Sequence, residues 1–420
     1  MFRYGLALPA VLLALSPVTV TATEGSAALK TRFQYYDYGY SKSRDFREAP
    51  LNLEFQYRSG LYDDWLGLDF HAYTTSMVKG ISNKDDDRGY TGGSMRSDGE
   101  TTSNIGVFYL KTQFDVGDGK LRVGAGKNRR WYNLYNEQVI RITNSSTRGV
   151  DFDYKVGDAN YYGMIVDRFQ EKSSNDYLGH FYGLDGEELK FLGLLGTKGK
   201  LGGLNYAFEY TNSYEFLQRS FYSLDHDVSA IDTNIKLTGV NIFGAGKHFD
   251  LENYDSGYVA LTSLTKFDTG TKLKFSAYQV YGGDMYQFHA RPGSSSRVML
   301  HHTVLGGEIP MYEDERAYYA YINQDFSNIA WPGLSAWIQG MWSENAEGFD
   351  DYKRREVVSQ ISQDFGKLVP ALKGLRLNYF RQYLYVDGED NGYRDGKVSN
   401  LLFFEDLKYN RITLDYTIQF

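Results

Sequence analysis

The residues best suited to chemistry sit together in one stretch. Residues 127–148 read KNRRWYNLYNEQVIRITNSSTR. Lys127, Arg129, Arg130, Arg141 and Arg148 stand against a single acid, Glu137, a net +4 inside a chain whose total is −8. A guanidinium presents a planar fork of N–H donors that fits a carboxylate at two points. That is binding chemistry, and it needs neither a metal nor a nucleophile. The stretch also carries Trp131, Tyr132, Tyr135, Val139, Ile140 and Ile142. A freely solvated loop has no use for so many apolar side chains. Together they predict a loop packed inward, its cations turned toward whatever passes. The rival reading is an external loop whose arginines meet lipopolysaccharide phosphates.

Other clusters carry less. The chain has seven histidines and no cysteine, so disulfides and thiolate chemistry are excluded. No histidine pair has the HExxH spacing of a metalloprotease. His301 and His302 are adjacent, which in a strand turns their rings to opposite faces. Asn83, Asp85 and Asp87 have calcium-loop spacing, but Arg88 stands where the tight-turn glycine belongs and Gly89 comes one place late. Gly124-Ala125-Gly126 opens no strand–GxGxxG–helix unit, and no G-x-S-x-G elbow occurs. Ser220 or Ser223 could be set beside His226, but nothing in the spacing ties them. No enzyme, cofactor or metal site is expected.

What would position the cations is a set of strands. In 51–58, Leu51, Leu53, Phe55 and Tyr57 fall on one face and Asn52, Glu54, Gln56 and Arg58 on the other. Helical spacing would scatter these sets; a period of two separates them. Segment 29–35 sets Leu29, Thr31, Phe33 and Tyr35 opposite Lys30, Arg32 and Gln34. Segment 66–73 repeats the rule, with Asp69, His71 and Tyr73 on its polar side. So do 204–210 and 273–277. At the end, Ile412, Leu414, Tyr416, Ile418 and Phe420 oppose Arg411, Thr413, Asp415, Thr417 and Gln419. Strand parity thus adds Arg32, Arg58 and Arg376 to the cations on the wet side.

Composition says which solvent the greasy side meets. The 420 residues include 37 Tyr and 26 Phe but only 7 Pro, with 44 Gly. The 45 Lys+Arg against 53 Asp+Glu argue against nucleic-acid binding, which needs a basic footprint. No run of apolar residues is long enough for a transmembrane helix. Residues 1–22 (MFRYGLALPAVLLALSPVTVTA) read as a secretory signal peptide, with Arg3 in its n-region and Val20 and Ala22 before the cleavage site. Connections alternate between short Gly/Asp turns, such as Val116-Gly117-Asp118-Gly119, and long polar loops, such as 78–103. That asymmetry belongs to outer-membrane barrels, as does a last strand ending on Phe420 with no tail. Most Tyr and Phe are expected in girdles at the two membrane boundaries. At about 22 residues per strand with its share of loop, 23–420 makes one all-β transmembrane antiparallel barrel of 16 to 18 strands. Its lumen is too wide for side chains to fill, so the polar faces line a water-filled channel.

The sequence also resembles the OprD family of Gram-negative outer-membrane porins, chitooligosaccharide porins included. Arg44-Asp45-Phe46-Arg47, Phe55-Gln56-Tyr57-Arg58-Ser59-Gly60 and Gly67-Leu68-Asp69 resemble the family's opening. Tyr278-Gln279 and Gly283-Asp284 resemble its middle. Glu315-Arg316-Ala317-Tyr318, Asp325-Phe326, Pro332-Gly333-Leu334, Tyr409-Asn410-Arg411 and Asp415-Tyr416 follow in order. The resemblance implies 18 strands, an inward third loop over 127–148, and passive uptake of small nutrients along an arginine track. It places Asp284 on a loop that also reaches the constriction. Glu-Arg-Ala-Tyr departs from the family's pattern, and Trp131 has no counterpart in it.

The expectation is an outer-membrane porin passing small polar or carboxylate-bearing solutes through a basic constriction of Arg129, Arg130, Arg141, Arg148, Glu137 and Tyr132. Asp284, Arg32, Arg58 and Arg376 join it. Its partners are outer-membrane lipid, lipopolysaccharide and small solutes, and it is a monomer or a trimer. One alternative is an oligosaccharide porin with an aromatic stacking track. Another is a barrel enzyme or adhesin with a plugged lumen.

Overall fold

The computed structural model describes residues 25–41, 45–78, 100–137, 142–171, 178–183, 185–249, 254–286, 296–297, 311–329, 331–393 and 405–420. The proposed signal peptide (1–22), the Asn83–Asp87 spacing and His301-His302 lie outside them.

Alternation of apolar and polar residues folds the chain into an 18-stranded closed antiparallel barrel, as expected. The first six strands are β1 (Ser26–Tyr40), β2 (Pro50–Arg58), β3 (Leu66–Met77), β4 (Thr102–Val116), β5 (Gly119–Asn128) and β6 (Ser146–Val156). Next come β7 (Ala159–Gln170), β8 (Leu192–Leu201), β9 (Leu204–Ser213), β10 (Leu217–Val228), β11 (Thr233–Gly244) and β12 (Asp255–Lys266). The last are β13 (Thr271–Gly282), β14 (Arg316–Asp325), β15 (Leu334–Glu344), β16 (Phe349–Asp364), β17 (Leu375–Asp390) and β18 (Leu407–Gln419). A short strand, Phe46–Glu48, carries the β2 pairing onward along β1 past Ala49. Each strand pairs with the next, and β1 pairs with β18 from Ala28↔Gln419 to Tyr40↔Leu407, which closes the cylinder. Among the described barrel strands, closure leaves no unpaired edge.

Turns at the end that holds Ser26 and Gln419 are short. Gly202 and Gly203 both take positive φ, 56° and 88°, as a two-residue hairpin turn demands. The long connections all emerge at the other end, taken as extracellular.

The outward face is apolar as read: Leu51, Phe208, Phe275, Ile412, Leu414 and Ile418 are all exposed on the isolated barrel. The inward face holds a surprise. Many tyrosines point into the lumen rather than to the girdles, among them Tyr162, Tyr258, Tyr278 and Tyr319, all buried. The cause is infolded connections. Leu134, Phe216, Phe249, Met285 and Tyr312, from five stretches outside the strands, are fully buried in one apolar cluster with these wall rings. A second cluster, Tyr36, Tyr38, Trp337, Val358, Phe380, Leu384, Leu407 and Tyr409, covers the inner wall near the closure.

Candidate functional site

The loop after β5 folds inward. Its first part is a tight hairpin: the Tyr132 N–H donates to Tyr135 O at 2.6 Å and the Glu137 N–H to Arg130 O at 2.9 Å. The hairpin tip is stapled to the inner wall by Glu209 on β9. That carboxylate accepts from the Asn133 N–H at 3.0 Å, the Leu134 N–H at 2.7 Å and the Tyr162 hydroxyl at 2.7 Å. Tyr132 stacks on Tyr162 with ring centroids 5.5 Å apart. Asn136 and Glu137 also pair in register with Arg297 and Ser296 of the connection between β13 and β14. Two inward loops therefore meet inside the barrel.

Neighbouring arginines at the root of this loop take opposite fates. Arg130 is 2% exposed at its side chain and forms an ion pair with Asp151 at 2.8 Å. It also donates to Thr147 O at 2.6 Å and Thr147 Oγ1 at 3.0 Å. It locks the loop to β6. Glu137 is buried and accepts from the Tyr135 hydroxyl at 2.8 Å and Thr147 Oγ1 at 2.9 Å, so it completes the same lock. Arg129 instead turns into the lumen and reaches Glu54 on β2 at 2.8 Å. Gly106 on β4 gives it passage: a Cβ there would lie 3.2 Å from Arg129 Nη2 and 3.3 Å from the Tyr73 ring.

Strand register assembles the rest. Arg32 pairs across to Asp415, Asp415 to Arg376 and Arg376 to Asp364, so four inward charges alternate in sign along one row from β1 to β16. The Arg32 guanidinium binds both Asp415 oxygens, at 2.5 and 3.1 Å. Arg376 lies 3.6 Å from Asp364. One step along, Lys30 stands opposite Glu54. These side chains and Arg129 line a common cavity of about 430 Å³, closed on the loop side by Ile142 and Asn144. Four cations there face three acids. Each acid orients one cation, which holds the forks in place before any solute arrives.

The expected site residues separate accordingly. Arg32, Arg129 and Arg376 share the cavity. Arg58 is exposed at the opposite end of β2 from the long loops, in register with Ser26 and Asp69. Arg148 shares the side of the outward Val150 and pairs with Asp167. Asp284 is buried and accepts from the Glu313 N–H at 2.8 Å, tying together the two ends of its own loop. Arg141 lies outside the described residues. Ser220 and His226 lie six residues apart on β10, and Ser223 has the opposite parity, so no hydrolase pair forms.

Four cavity residues were not singled out beforehand: Lys30, Glu54, Asp364 and Asp415. Parity had already set Lys30, Glu54 and Asp415 on wet faces. The missing signal was register, which brings residues nearly 400 positions apart into one row. Glu209 carried no signal at all, since nothing local marks it as the anchor of a distant loop.

No family model matches the chain, and no curated protein matches it in sequence. Solved structures do match. Pseudomonas aeruginosa OccK9 (OpdG) superposes with a TM-score of 0.76 at 15% identity, covering 94% of this chain and 99% of that one. Pseudomonas aeruginosa OpdK, solved with vanillate, gives 0.75 at 14% identity over 95% and 100%. Pseudomonas aeruginosa OccK2 (OpdF), in complex with glucuronate, gives 0.72 at 12% over 95% and 99%. What is shared at such identities is the fold, a closed antiparallel β-barrel.

Proposed function

We propose that this protein is an outer-membrane porin that passes small carboxylate-bearing solutes down their concentration gradient. On this reading residues 1–22 direct export and are removed, and 23–420 form the pore. The observation that carries the proposal is the row Arg32–Asp415–Arg376–Asp364, with Arg129 and Lys30 beside it, in a lumen narrowed by an inserted loop. A solute entering the narrow zone loses water. An anionic or zwitterionic one regains contacts from oriented guanidinium forks. The acids keep those forks from binding too tightly, so that release toward the periplasm follows. The crystallised partners of the two relatives, vanillate and glucuronate, both bear a carboxylate.

The oligosaccharide alternative needs open ring faces. Tyr36, Tyr38, Tyr40 and Tyr409 do stack in the lumen, Tyr38 and Tyr409 at 3.9 Å between centroids. Yet Tyr36, Tyr38 and Tyr409 are already covered. The carboxylate reading therefore stands ahead.

Planar-bilayer recording of the refolded barrel tests it. Anion-selective openings, blocked by carboxylates and not by neutral sugars, are expected. Cation selectivity, or no openings, would defeat it.

A further inference from the structure

The lipid-facing side of four adjacent strands changes character toward its extracellular end. On β18 the outward series runs up through Leu414 and Ile412 to Asn410 and Lys408. On β17 it runs Leu377, Tyr379, Arg381, Tyr383, Tyr385. On β16, Ile361 and Val357 give way to Arg355 and Lys353. On β1, Phe33 and Tyr35 give way to Asp37, which takes an ion pair from Arg47 at 2.9 Å. The change occurs on every strand directly past the apolar belt, which makes it a layer rather than a scatter.

Within the layer one arrangement stands out. Lys408 is in register with Tyr383, and Arg355 with Tyr385. The Arg381 guanidinium lies over the Tyr383 ring at 4.6 Å from its centroid. Two tyrosines on β17 are thus flanked by one cation from each neighbouring strand and a third from their own. All three cations are exposed, and among the described residues none is in an ion pair. Two acids stand on the Lys408 side: Asp37, in register with Asn410, is taken by Arg47, and Asp45 Oδ1 accepts from the Tyr40 N–H while flanking Gly39 together with the Lys408 side chain. On the Arg355 side the acids lie further out: Asp387 is in register with Lys353, and Glu389 with Asp350 at the strand tips.

A cation exposed to bulk water gains little from any partner. One placed at the edge of the hydrocarbon meets lipid headgroups, where anionic groups concentrate and the local dielectric is lower. Arginine forks match phosphate oxygens, and the flat face of a sugar ring packs on tyrosine. We propose that Arg355, Arg381 and Lys408, around Tyr383 and Tyr385, form a binding site on the outer wall for the phosphorylated sugar headgroup of an outer-leaflet glycolipid. The site depends on the barrel spanning the membrane and not on what the lumen passes.

The test uses the full barrel folded in detergent, with bisphosphorylated lipid A as the probe. Binding is read by native mass spectrometry and by the shift in thermal unfolding. Lipid A should bind the unaltered barrel, and binding should weaken at least about tenfold in R355A/R381A/K408A. Lipid A stripped of both phosphates should give no shift, and neither should inorganic phosphate at the same concentration. Equal binding by the triple variant would overturn the proposal. So would equal binding of the dephosphorylated lipid, or equal protection by inorganic phosphate, which would mean a free-anion site. These two lipid arms need no variant, so they decide the matter even if the triple variant fails to fold. Anion selectivity in bilayers, measured on the same preparation, reports the lumen separately.

Discussion

The two halves of the lumen obey the same alternation and end up with opposite interiors. Toward the loop-side ends of β7 to β14 the inward positions are mostly tyrosine, threonine, serine and aliphatics, and infolded connections pack over them. Toward the opposite ends of β1, β2 and β16 to β18 the inward positions are charged or carry amides and hydroxyls, and a cavity remains open beside them. Period-two patterning says only that a face is not lipid-facing. Residue type on that face then decides whether a loop can lie against it. Rings offer a loop apolar area to bury, worth roughly 25 cal/mol per Å² removed from water. A row of ion pairs offers no such gain, because covering it would strip the charges of water. Filling one half leaves solutes the charged half.

The sharpest way to break this contrast is to spoil the packed half from within. Arg354 and Glu315 lie 3.4 Å apart with both side chains fully buried. Glu315 Oε2 accepts from the Met311 N–H at 2.8 Å and the Tyr312 N–H at 3.2 Å, and its Oε1 from the Tyr352 hydroxyl at 3.0 Å. The pair pins the end of the loop that leads into β14. Arg354→Ala leaves Glu315 buried without its counter-charge, and removing one partner of such a pair costs about 3–5 kcal/mol. Denaturant unfolding in detergent should show that loss, and single-channel records should become noisier as the loop comes free. Unchanged stability would mean that the packed half is not held by this pair.

Spoiling the open half should leave the fold alone and change the current. Replacing Arg32, Arg129 and Arg376 together by Ala should lower the anion-to-cation permeability ratio by roughly an order of magnitude. Reversal potentials under a salt gradient measure it directly. A finer comparison needs only the two neighbouring arginines. Arg130→Ala strands Asp151 beside a loosened loop and should cost about 2–4 kcal/mol of stability. Arg129→Ala should cost less, about 1–2 kcal/mol, because Arg129 is 18% exposed where Arg130 is 2%, and Glu54 keeps Lys30 in register beside it. It should still reduce anion preference. If both substitutions act alike on selectivity, the division between lock and lining residue is wrong.

These two arginines also show where legibility ended. Composition and strand spacing pointed to the barrel and to the cation-rich, packed character of 127–148, because each is a local property; the inward placement of that loop leaned on the family resemblance as well. Nothing local separates Arg129 from Arg130: they are adjacent and chemically identical. What parts them is Asp151 on β6 drawing one and Glu54 on β2 drawing the other. Arg148 looked equivalent in sequence, yet it shares the outward side of Val150. The lumenal tyrosines were misassigned to the girdles for a similar reason. A ring facing lipid and a ring facing an infolded loop are both apolar contacts, and alternation does not distinguish them.

The smallest expected effect concerns what holds the outer connections over the packed half. His248 Nδ1 lies 2.8 Å from Asp185 Oδ2, and His248 Nε2 lies 3.6 Å from Glu215. One buried imidazole so joins the connections that follow β7, β9 and β11. The hydrogen bond from His248 holds the Asp185 carboxyl below its ordinary value of 3.8. A depressed carboxylate stabilises the folded arrangement above the ordinary value and loses that contribution as pH falls through the depressed one. The tie should therefore persist at pH 5 and weaken below about pH 4. Asp185→Asn should mimic the acid state at neutral pH. Amide exchange at 185–189 and 245–249 should quicken, while the exchange of β9 and the anion preference stay where they were. Since Asp185 opens to solvent, the change in exchange should be a few-fold and no more. A global loss of protection would instead make His248 part of the barrel's core stability, and the outer connections would no longer be separable from the wall they cover.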